Sequence, residues 1–117
     1  MDHWNELLDL RQWKNLLENS SKNKPVIVFK HSTRCSISQM ALDRWNRGWK
    51  SEWNDQAEIW YLDLISHRDI SNAIAADTGV VHESPQALLL EDGKVSLVET
   101  HQAIRAEHFI GALSSKN

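Results

Sequence analysis

Four consecutive apolar residues, Val26-Ile27-Val28-Phe29, follow Pro25, and three of the four are β-branched. A strand with no polar face has no side to turn toward water, so this run predicts a strand buried on both faces, as in a parallel sheet. The polar stretch Lys30-His31-Ser32-Thr33-Arg34 is expected to break the strand. Ser32 or Thr33 then stands where a cap for a helix beginning near Cys35 is needed.

The remaining segments supply layers around that strand. Trp4 to Leu8 is a short apolar run that suits an edge strand, and Asp9 suits an N-cap. Leu10, Trp13, Leu16 and Leu17 recur at helical spacing, fading into the polar stretch from Glu18 to Asn23. Ile37, Met40, Ala41 and Trp45 mark one face of the next helix, which loosens at Gly48. Ala57 to Leu64 reads as a second central strand, and Asp63 at its end as a turn or cap residue. Ser66-His67-Arg68-Asp69 fits a capping box before a helix through Ile70, Ala73, Ile74 and Ala76, with Gly79 as C-cap. After a loop from Val80 to Pro85, Ala87–Leu90 and Val95–Val98 flank Asp92-Gly93, a strong hairpin signal. A last amphipathic helix carries Ile104, Phe109, Ile110 and Leu113. The order is β-α-β-α-β-α-β-β-α, an α/β fold in one domain over residues 1–117: a central sheet flanked by helices on both faces and made mixed by the hairpin.

Composition narrows the function classes. Apolar residues make up 41% and charged residues 25% of 117, an ordinary globular balance, and the net charge is −3 without a run of one sign. That leaves no basic footprint for nucleic acid. No stretch has the roughly 20 apolar residues of a membrane span, and the first residues lack the basic and apolar regions of a secretory signal, so a cytoplasmic location is expected. One cysteine cannot form an internal disulfide, and a lone thiol suits a reducing compartment. The six tryptophans follow no repeat and read as packing.

That single cysteine, Cys35, falls where a central strand hands over to a helix, at the sheet edge where open α/β folds bind ligands. The free N–H groups and dipole of a helix N-terminus favour a thiolate over a thiol, and the thiolate is the species that attacks disulfides. Ser38 follows in a Cys-x-x-Ser pattern, one helical turn on, where its hydroxyl can donate to the Cys35 sulfur. Ser38 also stands where a dithiol motif has its resolving cysteine, so a mixed disulfide on Cys35 needs an outside thiol for release. Lys30, His31 and Arg34 add nearby positive charge. A second feature is Pro85, directly before a strand: if the Ser84–Pro85 bond is cis, the Ser84 backbone can face Cys35 and pair with an extended substrate. His101 follows the last strand and can share that rim. The histidines at 3, 31, 67, 82, 101 and 108 lack zinc-like spacing, and glycines at 48, 79, 93 and 111 form no phosphate loop.

The stretch Phe29-Lys30-His31-Ser32-Thr33-Arg34-Cys35-Ser36-Ile37-Ser38 resembles the monothiol bacilliredoxin (YtxJ-like) family of thioredoxin-fold proteins. Glu83-Ser84-Pro85-Gln86 resembles its cis-proline segment and His101-Gln102-Ala103-Ile104 the segment after its last strand. The likeness covers nearly the whole chain; some members carry proline where this chain has Ser36. It implies a thioredoxin-like fold and an enzyme that removes bacillithiol, a low-molecular-weight thiol, from mixed disulfides with client proteins. Cys35 is then the nucleophile supported by Ser38, and Thr33, Arg34, Ser36, Ser84, Pro85 and His101 line the substrate site. Bacillithiol is a co-substrate, no cofactor or metal is bound, and the partners are client proteins and a recycling thiol or reductase. Two other readings stay open. One is a monothiol glutaredoxin-like carrier of glutathione or an iron–sulfur cluster, although Glu99-Thr100-His101 stands where a glycine pair belongs. The other is a thioredoxin-fold binding module with an inert Cys35.

Overall fold

The computed structural model describes residues 4–20 and 24–113. His3 and the polar stretch expected over Ser21–Asn23 lie outside the described residues. The elements run β1 (Trp4–Glu6), α1 (Leu10–Asn19), β2 (Val26–His31), α2 (Ser36–Gly48), β3 (Glu58–Asp63), α3 (Arg68–Thr78), β4 (Gln86–Glu91), β5 (Lys94–Thr100) and α4 (Ala106–Leu113). Two 3-10 turns, Ser51–Asp55 and His101–Ala103, interrupt the order read from the sequence without altering it.

The sheet order is β1-β3-β2-β4-β5. Strands β1, β3 and β2 are parallel, whereas β4 runs antiparallel to β2 and β5 antiparallel to β4. The reversal therefore begins at β4 itself and not only within the hairpin. The segment before Gln86 delivers the chain to the end of β2, where Gln86 faces Lys30, so β4 must run back along it. The hairpin closes through Asp92 (φ 55°) and Gly93 (φ 73°), two left-handed residues that match the twist of the strands they join.

Alternation along β2 divides the core into two layers. Ile27 and Phe29 face α2 and α4, packing with Ala41, Leu42, Trp45, Phe109 and Leu113. Val26 and Val28 face α1 and α3, packing with Trp13, Leu16, Ile70 and Ile74. Every residue of β2 is buried, including Lys30 and His31, so the polar pair extends the strand instead of breaking it. Ladder pairing keeps them in the sheet: Lys30 pairs with Leu62 of β3 and Gln86 of β4, and His31 with Asp63 of β3.

The helices are placed by caps and by a few large side chains. Asp9 caps α1 by accepting from the Gln12 N–H at 2.8 Å, and the Gln12 side chain accepts from the Asp9 N–H in return. The Trp13 indole N–H donates to Asp77 at 2.8 Å and pins α1 to α3. The expected capping box at Ser66 is replaced: His67 is the N-cap of α3 and makes no side-chain capping bond, while the Ser66 hydroxyl donates to Asp63. Asp63 also accepts the N–H groups of Ile65 and Ser66, so Ser66 is held in the turn after β3 and does not cap α3. Gly79 ends α3 in the left-handed region (φ 75°).

The buried face of α2 is Ser38, Ala41, Leu42 and Trp45, while Ile37 and Met40 are 48% and 64% exposed. Trp45 sets that rotation. It is fully buried, with ring centroids 5.6 Å from Phe29, 5.4 Å from Phe109, 6.1 Å from Trp4 and 6.0 Å from Trp49. Among the described residues no helix is long and apolar enough to cross a membrane. Truncating the ring that joins β1, β2, α2 and α4 leaves a large void, so Trp45→Ala should lower stability by about 3–5 kcal/mol in urea denaturation.

Candidate active site

Strand register brings four chain segments to one rim of the sheet. His31 pairs with Asp63 across β2 and β3, Lys30 with Gln86 across β2 and β4, and Gln86 with Thr100 across β4 and β5. The turn after β2, the turn after β3, the Ser84–Pro85 segment before β4 and the His101 turn after β5 therefore share this edge. Ligands of open α/β sheets bind at this edge.

Cys35 is itself the N-cap of α2, and neither Ser32 nor Thr33 caps the helix. The reason is local. The Cys35 N–H donates to the Ser32 carbonyl at 3.2 Å, closing a turn through Thr33 and Arg34, and the Cys35 carbonyl accepts from Gln39 N–H at 3.0 Å to start the helix. The thiol is free and half-buried, flanked by exposed Thr33, Arg34 and Ser36. The Cys35 side chain makes no capping bond to the first turn, whose N–H groups stand at the end of a helix dipole that favours negative charge.

Ser38 is not a partner of the Cys35 sulfur. It is fully buried, accepts from the Ser32 N–H at 3.0 Å, and its hydroxyl lies 2.8 Å from His31 Nδ1. The serine thus ties the cysteine turn to the end of β2 and supports the thiol only through that turn. His31 is buried, its ring 5.7 Å from that of Tyr61. Burial lowers the His31 pKa, against the pull of Asp63 and Asp43, which favours the neutral ring that can accept the Ser38 proton.

The Ser84–Pro85 peptide bond is cis. Pro85 is buried, and its carbonyl accepts from the His101 N–H at 3.0 Å. His101 takes a left-handed backbone (φ 55°), its exposed imidazole lies 3.5 Å from Glu83, and its carbonyl accepts from Arg44. Ser84, Pro85 and His101 are therefore gathered in one cluster on the rim. Among the described residues no group of three or more His, Cys, Asp or Glu side chains is arranged to hold a metal ion.

Of the three nearby charges expected to act on Cys35, only Arg34 is exposed on its loop. His31 lies on the α2 face of β2, whereas Lys30 points into the α1–α3 layer, a direction that its even spacing from Val26 and Val28 already encodes. Lys30 is 0% exposed, and its Nζ lies 3.4 Å from His82 Nδ1, which is 3.2 Å from the Ser71 hydroxyl. Desolvation lowers the Lys30 pKa from 10.5 to about 8. Sequence reading missed this group because His82 lies far along the chain and carries no motif.

Comparison with known proteins places this geometry. Residues 5–109 match the family model of the monothiol bacilliredoxin BrxC. A solved structure described as a candidate oxidoreductase with a thioredoxin fold is 31% identical, with a TM-score of 0.78 over 95% of this chain and 94% of that one. A chain from work on thiol resolution of the yeast mitochondrial 1-Cys peroxiredoxin by the glutathione and thioredoxin systems is 17% identical, TM-score 0.71, covering 97% and 96% of the two chains. Thioredoxin from Fasciola hepatica is 11% identical, TM-score 0.70, covering 97% and 99%. The last two share the fold.

Two measurements check the site's construction. Ser38→Ala leaves the Ser32 N–H and His31 Nδ1 buried without a partner, and should cost roughly 1–3 kcal/mol in urea denaturation. For Lys30, the folded chain releases its proton near pH 8 and the unfolded chain near 10.5, so the unfolded state binds more protons between them. Stability should then rise with pH across that window and fall as pH drops through it. A gap of roughly 2.5 pH units at 1.36 kcal/mol each bounds the gain at about 3 kcal/mol. Urea denaturation should show the stability of the unmodified chain rise with pH relative to that of Lys30→Met across this window.

Proposed function

The chain belongs to the monothiol bacilliredoxin BrxC family, and from that premise we propose that it is a thiol–disulfide oxidoreductase that removes bacillithiol from protein mixed disulfides through Cys35. Family membership and the 31%-identical thioredoxin-fold neighbour support thiol redox function in general. The choice of bacillithiol and a cytoplasmic site of action are our reading. The observation that carries the chemistry is a free, half-buried Cys35 on the N-cap of α2, at the ligand-binding rim of the sheet.

The reaction balances as two exchanges. The Cys35 thiolate attacks the bacillithiol sulfur of a client mixed disulfide. A new S–S bond forms between Cys35 and bacillithiol, the client–bacillithiol S–S bond breaks, and the client cysteine leaves with the electron pair and takes up a proton. An external thiol then attacks the bacillithiol sulfur on Cys35, forms a disulfide with bacillithiol and returns Cys35 as thiolate. The two electrons that reduce the client come from outside, because Ser38 cannot form a disulfide. Thr33, Arg34 and Ser36 flank the incoming sulfur, and Ser84, Pro85 and His101 form the facing side of the substrate site.

The test uses a reporter protein carrying bacillithiol on one cysteine. The unmodified chain should free the reporter and gain one bacillithiol on Cys35 by intact mass, and added thiol should remove it. Cys35→Ser should leave the reporter at the uncatalysed background rate. Release by Cys35→Ser at the unmodified rate would sink the proposal, and preference for a glutathione-bearing reporter would reassign the substrate.

A further inference from the structure

A lysine with no exposed surface is costly unless its ammonium is paired, and desolvation disfavours the charged form. Lys30 is such a residue, yet among the described residues no carboxylate lies within ion-pair distance of it. Among the described residues its ammonium contacts His82 Nδ1 at 3.4 Å, on the segment that leads from α3 to Ser84 and Pro85. The Ser71 hydroxyl of α3 reaches the same nitrogen at 3.2 Å. A charged lysine can only donate, so the contact requires an unprotonated Nδ1.

A second acceptor is within the same layer. Gln86 pairs directly with Lys30 across β2 and β4, which sets both side chains on one face of the sheet. Gln86 is 1% exposed; its amide nitrogen donates to the Val81 carbonyl at 3.1 Å, while its Oε1 is buried without a partner. Beside the His82 nitrogen that Lys30 contacts, the same face of the sheet thus carries an unpartnered oxygen on the residue paired with Lys30. Both lie on residues that hold the Val80–Pro85 segment.

We propose that Lys30, Ser71 and His82 form a proton-sensitive tie that positions the Val80–Pro85 segment at the active-site rim. While His82 is neutral, Nδ1 accepts from Lys30 with the Ser71 hydroxyl beside it, and the segment is held against the sheet. Once His82 is protonated, two cations oppose each other. The imidazole, which is already partly in solvent, turns outward, and the Lys30 ammonium moves to Gln86 Oε1. The side chains acting on His82 come from every element around it. Lys30 of β2 and Arg68 of α3 oppose its protonation, burial opposes it more strongly still, and Glu83 of its own segment favours it. Lys30 is thus a positioning residue whose influence on Cys35 runs through the segment that bears Ser84 and Pro85. That last consequence rests on the disulfide exchange proposed above, whereas the tie does not.

The tie is read by nuclear magnetic resonance on the full chain, following the His82 ring nitrogens and the Gln86 side-chain amide from about pH 8 to about pH 5. Both should titrate together in the unmodified chain. In Lys30→Met the His82 midpoint should rise, because the Lys30 charge that opposes protonation is gone, and the Gln86 signal should cease to follow pH. His82→Asn, which leaves Lys30 in place and keeps an acceptor at every pH, should likewise hold the Gln86 signal constant. An unmoved His82 midpoint in Lys30→Met, or a Gln86 signal that still titrates in His82→Asn, would overturn the tie. For the consequence, the ratio of reporter release to Cys35 alkylation should fall several-fold with His82 protonation in the unmodified chain and stay level in His82→Asn. A ratio that falls equally in both removes the link to the active site, while no release by any chain with the tie intact removes the exchange reading instead.

Discussion

The structure depends on β2 having no free side. It bonds to β3 and β4 at its edges and packs against helical layers on both faces, so all four directions around it are taken. A strand so enclosed has one register and one end at which the chain can emerge. Cys35 lies four residues beyond that end, and its place on the rim is fixed by the packing of Ile27, Val28 and Phe29 more than by anything in its own loop. The loop adds only the last adjustment, through a turn that bonds Cys35 to Ser32 and a serine that bonds Ser32 to the strand.

Much of this was legible because local chemistry and tertiary demand agreed. Asp9 at its cap, Gly79 in the left-handed region and Asp92-Gly93 in the hairpin are residues whose own conformational preferences decide the outcome. Where the reading failed, a distant contact overrode a local one. Lys30 and His31 look like loop residues to a scan for polarity, but ladder pairing keeps them in the strand, Lys30 from both sides and His31 from β3. Ile37 and Met40 fit a helical face as well as Ser38 and Leu42 do, and only the wedge of Trp45 against Phe29 and Phe109 chooses between them. Ser66 has the spacing of a capping box, but its hydroxyl and its N–H are both engaged by Asp63.

The candidate site divides the same way. The position of Cys35 between strand and helix follows from periodicity, and its family from the sequence around it. Ser38 was read as a neighbour of the thiol because one helical turn separates them. The enclosed side of the helix turns its hydroxyl toward His31 instead. The polar group behind the rim, Lys30 with His82, was beyond reach, since nothing local ties residues 30 and 82.

The enclosure of Ser38 bears on how such a site can evolve. A serine and a cysteine codon can differ by one base, so a second thiol at this position is a short mutational step. The structural step is longer. A thiol is a weak hydrogen-bond partner, and placed here it would face the Ser32 N–H and the His31 nitrogen in a site sealed from water. A lineage moving toward a two-cysteine chemistry would have to rebuild the end of β2 first, or accept a weaker domain on the way. The single thiol of the motif thus has a counterpart in the core beneath it, where a second thiol in place of Ser38 would weaken the bonds that hold the turn to the strand.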